Sequence, residues 1–231
     1  MPPMRTVVLA TANQHKASEI RAILPGPFQY LTLRDLPQAP ALPEDGHTFA
    51  DNAAQKALTL ARWLVAHRPE PVQAALAFGL AVLADDSGLE VDALGGAPGV
   101  HSAQFAHLET GAPGNSTDAD NNAKLLRLLA GLPLHQRAAR FRCVLAWVEV
   151  IPPDHVQPPL LFEGACEGHI APEPRGQAGF GYDPLFVPVG YQQTFAELGE
   201  SIKNNLSHRR RALDRLAHYL ASRVSLSAPP P

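Results

Sequence analysis

Apolar residues along this chain recur with two periods, and the alternation between them predicts a mixed α/β protein. Thr6–Ala10 is a run of strand formers that ends in the loop Thr11–Asn13. From Gln14 to Leu24, residues Ala17, Ile20, Ile23 and Leu24 share one helical face. A proline-rich connection, Pro37–Pro43, leads to Thr48, a plausible N-cap. Behind it Ala53, Ala57, Leu60, Ala61 and Leu64 keep helical spacing, so a helix is predicted through Ala66. His67–Ala75 reads as loop, and Thr117 or Asp118 caps a further helix with Leu125, Leu128 and Leu129 inward. Arg140–Val150 and Leu160–Ala171 are rich in strand formers, and the prolines between them predict an antiparallel hairpin. Its face with Phe141, Cys143, Leu145 and Trp147 should be buried. Ser207 can cap a last helix, with Leu213, Leu216 and Leu220 facing inward. Hairpin and crossover spacings occur together, which predicts a mixed sheet curved around a cleft with helices outside it. The expected domain covers residues 1–222, with a disordered tail over 223–231.

The most informative stretch is AVLADDSGLEVDA, from Ala81 to Ala93. It reads as an apolar strand ending in Asp85 and Asp86, then Ser87-Gly88, then a second strand from Leu89. Side chains alternate faces along a strand, so only one of the two acids can point straight at a given ligand. Adjacent acids on a rigid strand hold a divalent metal or activate water. Equally, Asp and Ser in a turn cap backbone amides.

Composition narrows the choice. Of the 231 residues, 45% are hydrophobic, enough for a full core, and the net charge of −3 gives no support for a broad nucleic-acid or membrane surface. The short basic run His208–Arg211 with Arg215 reads as a solvated helix face. No apolar run approaches the ~20 residues of a membrane span. Cys143 and Cys166 lack metal-ligand spacing and are expected to be buried and reduced. A cytoplasmic protein is expected, with neither nucleic acid nor membrane as partner.

Thr11-Ala12-Asn13-Gln14-His15-Lys16 sits where the first strand meets the first helix. Unpaired amides and the helix dipole favour an anion there, and Thr, Asn and Lys add donors. Any capped helix start could look similar, and the glycine spacing of a Walker loop is missing. Four further segments follow: Glu44-Asp45-Gly46-His47-Thr48-Phe49 before a helix carrying Asn52 and Lys56; Asp85-Asp86-Ser87-Gly88; Gly179-Phe180-Gly181-Tyr182-Asp183-Pro184; and Lys203 followed by Ser207-His208-Arg209.

In this order and spacing the five segments resemble the inosine triphosphate pyrophosphatase family, the XTP/dITP diphosphatases, over roughly Thr6 to Leu220. The resemblance implies an elongated two-lobed α/β fold about a central cleft, commonly a homodimer. It also implies Mg²⁺-dependent cleavage of deaminated purine nucleoside triphosphates between the α and β phosphates. By position, Thr11, Ala12, Asn13, Gln14, His15 and Lys16 match its triphosphate contacts, and Glu44 with Asp86 match metal binding and water activation. Ser87, Phe180, Gly181, Tyr182, Asp183, Lys203, His208 and Arg209 match its substrate contacts. Lys56 is a further candidate for neutralising phosphate charge, Asp86 for general base, and Asp85 for outer support. Departures are His101 and Gln104, where the family usually has an aromatic residue and an arginine. The stretch Ala66–Leu80 is longer than the pattern needs and reads as a surface excursion. The alternatives are a Maf-like pyrophosphatase acting on modified or pyrimidine triphosphates, and a non-catalytic nucleotide-binding module.

Overall fold

The computed structural model describes residues 5–24 and 26–226. In chain order the elements are β1 (Arg5–Leu9), α1 (Gln14–Ile23), β2 (Phe28–Thr32), α2 (Phe49–His67), α3 (Gln73–Phe78), β3 (Leu80–Val91) and α4 (His107–Thr110). Then follow α5 (Asp118–Leu128), β4 (Ala138–Ile151), β5 (His155–Val156), β6 (Leu160–Ile170), β7 (Phe186–Pro188), α6 (Phe195–Leu206) and α7 (His208–Leu226). The seven strands form one sheet in the order β2-β1-β3-β4-β6-β7, with β5 paired to β4. β1 runs parallel to β2 and β3, whereas β4–β5 and β6–β7 are antiparallel. The mixed α/β class read from the sequence is therefore correct.

The chain resolves into two compact units. The first contains the chain up to Asp86, Val144–Glu163, and the part from Ala212 onward. Its core is the apolar run Val7–Leu9 on β1, Leu80–Ala84 on β3 and Val144–Val148 on β4, all essentially buried. Both faces of these strands are covered, which is why they read as continuous apolar runs rather than as alternation. Helix α2 supplies Ala53, Ala57, Leu60, Ala61 and Leu64, each fully buried. Its start is fixed by Thr48, whose Oγ1 accepts the Asp51 amide at 3.1 Å. Glu149 on β4 ties three elements together: it accepts from Arg5 Nη2 on β1 at 2.6 Å, Trp147 Nε1 at 3.2 Å and Arg223 Nη1 on α7 at 2.8 Å.

The second unit contains Ser87–Cys143 and Gly164–Arg211. Leu89, Val91, Phe105, Leu125, Leu129, Phe141, Leu185, Phe186 and Phe195 form its core. Arg137 closes one end by donating to the carbonyls of Leu129, Leu132 and Ala171. Cys143 and Cys166 are buried and form no disulfide, and burial pushes the Cys166 pKa up to about 11.

Several expectations change. The predicted strand, turn and second strand around Asp85-Asp86-Ser87-Gly88 are one continuous strand, β3. Gly88 serves a close approach instead of a turn: a Cβ there would stand 2.4 Å from Ser102 Oγ and 2.5 Å from the Gly99 carbonyl oxygen. The excursion over Ala66–Leu80 is not a mere surface loop. Its Val72 and Leu76, one helical turn apart, are buried, and α3 forms to bury them. Strand β2 and helix α6 were not anticipated. Of the tail expected over 223–231, residues 223–226 belong to α7. Residues 227–231 lie outside the described residues.

Two measurements test this packing. Gly88→Ala should lower unfolding free energy by roughly 1–3 kcal/mol, since the new methyl meets Ser102 and a backbone carbonyl. An unaltered urea midpoint would contradict the close approach. For Glu149, burial pushes the pKa up, but hydrogen bonds from Arg5 and Trp147 and the charges of Arg5 and Arg223 hold it below its ordinary 4.5. A carboxyl depressed in the folded state stabilises above its ordinary value and loses that contribution as pH falls through the folded value. Glu149→Gln should therefore cost roughly 1 kcal/mol at pH 7, discounted for the half-exposed arginines. The difference from the parent should shrink below pH 4.5 in pH-dependent urea melts.

Candidate active site

In the first unit, three elements converge on one ammonium group. Lys56 on α2 donates from Nζ to Glu44 Oε1 at 2.7 Å, Asp86 Oδ1 at 2.9 Å and the Asp85 carbonyl at 2.9 Å. Asn52 lies one helical turn earlier, on the same face of α2. Its Nδ2 donates to Asp86 Oδ2 at 3.0 Å, while its Oδ1 accepts the Gly46 amide at 2.8 Å. That second bond fixes which way the Asn52 amide faces. Gly46 permits the approach, since a Cβ there would lie 2.7 Å from Asn52 Oδ1. Both oxygens of Asp86 are thereby held, on a strand packed on both faces.

Asp85 points the other way along β3 and pairs with Lys16 Nζ at 2.6 Å. The two acids are buried, whereas the Glu44 side chain is 61% exposed. Burial is the largest influence on Asp86 and holds its carboxyl above the ordinary carboxylate range, against the pull of Lys56, Lys16 and Asn52. Burial also pulls Lys56 down, but the charges of Asp86 and Glu44 outweigh it, so the ammonium stays protonated.

Upstream, Asn13 caps α1, its Oδ1 accepting from the amides of His15 at 2.9 Å and Lys16 at 3.2 Å. Thr11 Oγ1 accepts the Asn13 amide at 3.1 Å. What this loop offers an anion is then the Asn13 side-chain NH₂, the Thr11 hydroxyl proton and the Lys16 ammonium, with Ala12 and His15 exposed and Gln14 half-buried beside them. Thr11 to Lys16, Glu44, Lys56 and Asp86 thus fall in one unit.

The second unit holds the remaining candidates. Asp183 Oδ2 accepts the Phe180 amide at 2.9 Å and Lys203 Nζ at 2.6 Å. Lys203 Nζ also lies 4.2 Å from the centre of the Phe180 ring. Gly179 is obligatory: its φ is +81° and a Cβ would fall 2.2 Å from Asp183 Oδ2. Arg209, almost fully buried, donates from Nη2 to Ser87 Oγ at 2.9 Å. His208 is buried too, its ring stacked on Phe141 with centroids 4.9 Å apart. Tyr182 is buried, and its hydroxyl donates to the Ser102 carbonyl at 2.9 Å. Burial, helped by the charge of Asp118, pushes the Tyr182 pKa well up, so the phenol remains a donor. At the departures from the family pattern, Gln104 Nε2 and His101 Nδ1 lie 3.0 Å apart. Arg211 and Arg215 of the basic run donate to the carbonyls of Ala165 and Glu163.

Two residues that sequence reasoning passed over also act on the Phe180 loop. Asp118 Oδ2 accepts the Gly181 amide, and Asn122 Nδ2 donates to the Gly181 carbonyl. The available signal was a polar residue, Asn122, at a buried position of α5.

Glu44 and Asp86 suit a hard divalent cation. Both offer carboxylate oxygens, and both already turn them toward one positive centre. Among the described residues no cluster of three or more His, Cys, Asp or Glu side chains is arranged to hold a metal. Two carboxylates with open positions suit Mg²⁺, which keeps several of its waters. Among the described residues, no helix is long and apolar enough to cross a membrane.

Known proteins resemble this chain over nearly its whole length. The dITP/XTP pyrophosphatase of Desulforamulus reducens is 46% identical over 215 residues, 93% of this chain and 94% of that protein. The solved structure of a HAM1 protein from Coxiella burnetii superposes with a TM-score of 0.75 at 35% identity, covering 95% of this chain and 100% of that one. The nucleoside-triphosphatase, or dITP/XTP pyrophosphatase, of Mycobacterium abscessus gives 0.63 at 39% identity, covering 91% and 98%. The sequence model of the Ham1 family matches residues 7–219, and the chain belongs to that family.

Proposed function

We propose that this chain hydrolyses deaminated purine nucleoside triphosphates (dITP, ITP and XTP) to the monophosphate and pyrophosphate. One observation carries the reaction type: Asp86, held at both oxygens by Lys56 and Asn52, sits buried beside the more exposed carboxylate of Glu44. The substrate class is supported by kinship, since relatives more than 40% identical over nearly the whole chain are named dITP/XTP pyrophosphatases. Those names favour it over the Maf-like alternative, and the intact carboxylate–lysine cluster favours a catalyst over a binding module.

Charge explains why Mg²⁺ belongs in this reading. Two ammonium groups, Lys16 and Lys56, stand against three carboxylates, Glu44, Asp85 and Asp86, leaving the cluster one net negative charge. A triphosphate carries about four negative charges near neutral pH, so such a cluster alone repels it. Glu44 and Asp86 would hold Mg²⁺, whose two positive charges would reverse that sign and would lower the pKa of a nearby water. Asp86 then takes the proton from the water that attacks the α-phosphorus. Lys16, Asn13 and Thr11 bind the phosphate tail. Lys56 keeps Glu44 and Asp86 turned toward a common point.

Hypoxanthine and xanthine present a carbonyl at C6, where adenine has an amine. Donors from His208 and Arg209 match the carbonyl and would face an unmatched donor in adenine. Phe180, with Lys203 over its ring, supplies a face for the purine, and Asp183 orders that loop. The reading extends to a homodimer acting in the cytoplasm, as the family resemblance implies.

A panel of dITP, XTP, ATP, GTP and dTTP, scored for pyrophosphate release, tests the assignment. Hydrolysis should favour dITP and XTP, stop with EDTA and return with Mg²⁺. Asp86→Asn should lose roughly 10²–10⁴-fold in turnover, the range for a general base, while remaining folded. Parental turnover in that variant, or preference for pyrimidine nucleotides in the parent, would overturn the proposal.

A further inference from the structure

Asp118 and Asn122 stand one turn apart on α5, and both reach the same glycine. The Gly181 N–H donates to Asp118 Oδ2 at 2.7 Å, and Asn122 Nδ2 donates to the Gly181 carbonyl at 2.9 Å. Both backbone polar groups of one loop residue are thereby taken up by side chains of a single helix. Gly181 has no side chain to pack, its φ is +62°, and nothing lies within 4 Å of the place a Cβ would occupy. Beside it is a cavity of about 470 Å³, lined by Ala123, Leu126, Pro174, Gln177 and Pro184 together with the loop. Van der Waals packing therefore does not fix the loop at this point, and hydrogen bonds must.

Asp118 adds a negative charge in the first turn of α5, but helix stability does not account for Asn122 or for the shared glycine. Capping of α5 belongs to Thr117, whose Oγ1 accepts the Asp120 amide and donates to Asp120 Oδ2. Asn122 is buried, yet its Oδ1 has no hydrogen-bond partner among the described residues. Burying an unsatisfied carbonyl oxygen costs stability. A residue retained at that cost is explained by what its other end does, and that end holds Gly181.

Phe180 directly precedes Gly181. Its amide is anchored on Asp183 and its ring lies under the Lys203 ammonium, so fixing the next peptide restricts the ring's orientation. We propose that Asp118 and Asn122 are positioning residues that set the pose of Phe180 and thereby the enzyme's grip on the purine base. This rests on the reading of the Phe180 loop as the base-binding element.

The test compares Asp118→Ala, Asn122→Ala and Asp118→Asn, the last of which keeps an oxygen acceptor for the Gly181 amide. Both alanine variants should raise KM for dITP roughly tenfold with kcat little changed, the pattern of lost binding rather than lost chemistry. Their preference for dITP over dATP should narrow, and Asp118→Asn should recover most of the loss. Hydrogen exchange across residues 179–183 should quicken in both alanine variants. An unchanged KM, an equal loss on dITP and dATP, or unchanged exchange would overturn the positioning role. Failure of the parent protein to cleave dITP or XTP would instead remove the base-binding reading beneath it, a result visible before any variant is made.

Discussion

The first unit depends on the Lys56 ammonium. It is 5% exposed and positively charged, and a charge in that position is tolerable only with good partners on several sides. Glu44, Asp86 and the Asp85 carbonyl supply them from the loop before α2 and from β3. Helix α2, the loop that leads into it and β3 are thereby tied together. Replacing a buried ion pair by well-packed hydrophobic residues is often neutral or stabilising, so the cluster is not explained by stability. Its effect is to hold two carboxylates, one buried and one reachable, turned to the same point before any substrate arrives. Preorganised charge of this kind contributes to catalysis because it need not reorient during the reaction.

The second unit repeats the device with different results. Lys203 is equally buried and is paired with Asp183, but Asp183 also receives the Phe180 amide. Here the lysine organises an aromatic loop, and its ammonium over the Phe180 ring adds roughly 0.5–2 kcal/mol of attraction. Each unit thus has its own buried lysine paired with an acid, Lys56 with Asp86 in the first and Lys203 with Asp183 in the second. One turns two carboxylates to a common point, and the other orders an aromatic loop.

Much of this was legible in the sequence, and the gaps have physical causes. The alanine-rich face of α2 announced its helix because small apolar residues at helical spacing have few other uses, and Thr48 marked its start. The Asp85–Gly88 segment misled because its composition is that of a turn. What keeps Gly88 in a strand is a contact with Gly99 and Ser102, residues that local pattern cannot see. Helix α6 carried a capping box, Thr194 with Glu197, but Gly199 at φ +77° breaks its regularity and blurred the apolar face. The identities of the candidate residues came from the family resemblance. Their pairing did not, because whether a lysine meets phosphate or a neighbouring acid depends on depth, and a sequence carries no depth. Asp118 and Asn122 were overlooked for the same reason: polar residues on a helix read as solvated until one is found buried.

Asp86 and Ser87 are consecutive on β3, and alternation along a strand sends their side chains to opposite faces. Asp86 engages Asn52 and Lys56 of the first unit, while Ser87 receives the Arg209 guanidinium of the second. A turn at this place, as composition alone suggests, would leave the two side chains free to rotate relative to each other. A strand removes that freedom through its backbone dihedrals. The acid and the serine are therefore separated by a fixed pitch and a fixed change of face. Gly88, having no side chain, lets Ser102 and the Gly99 carbonyl lie directly against that stretch.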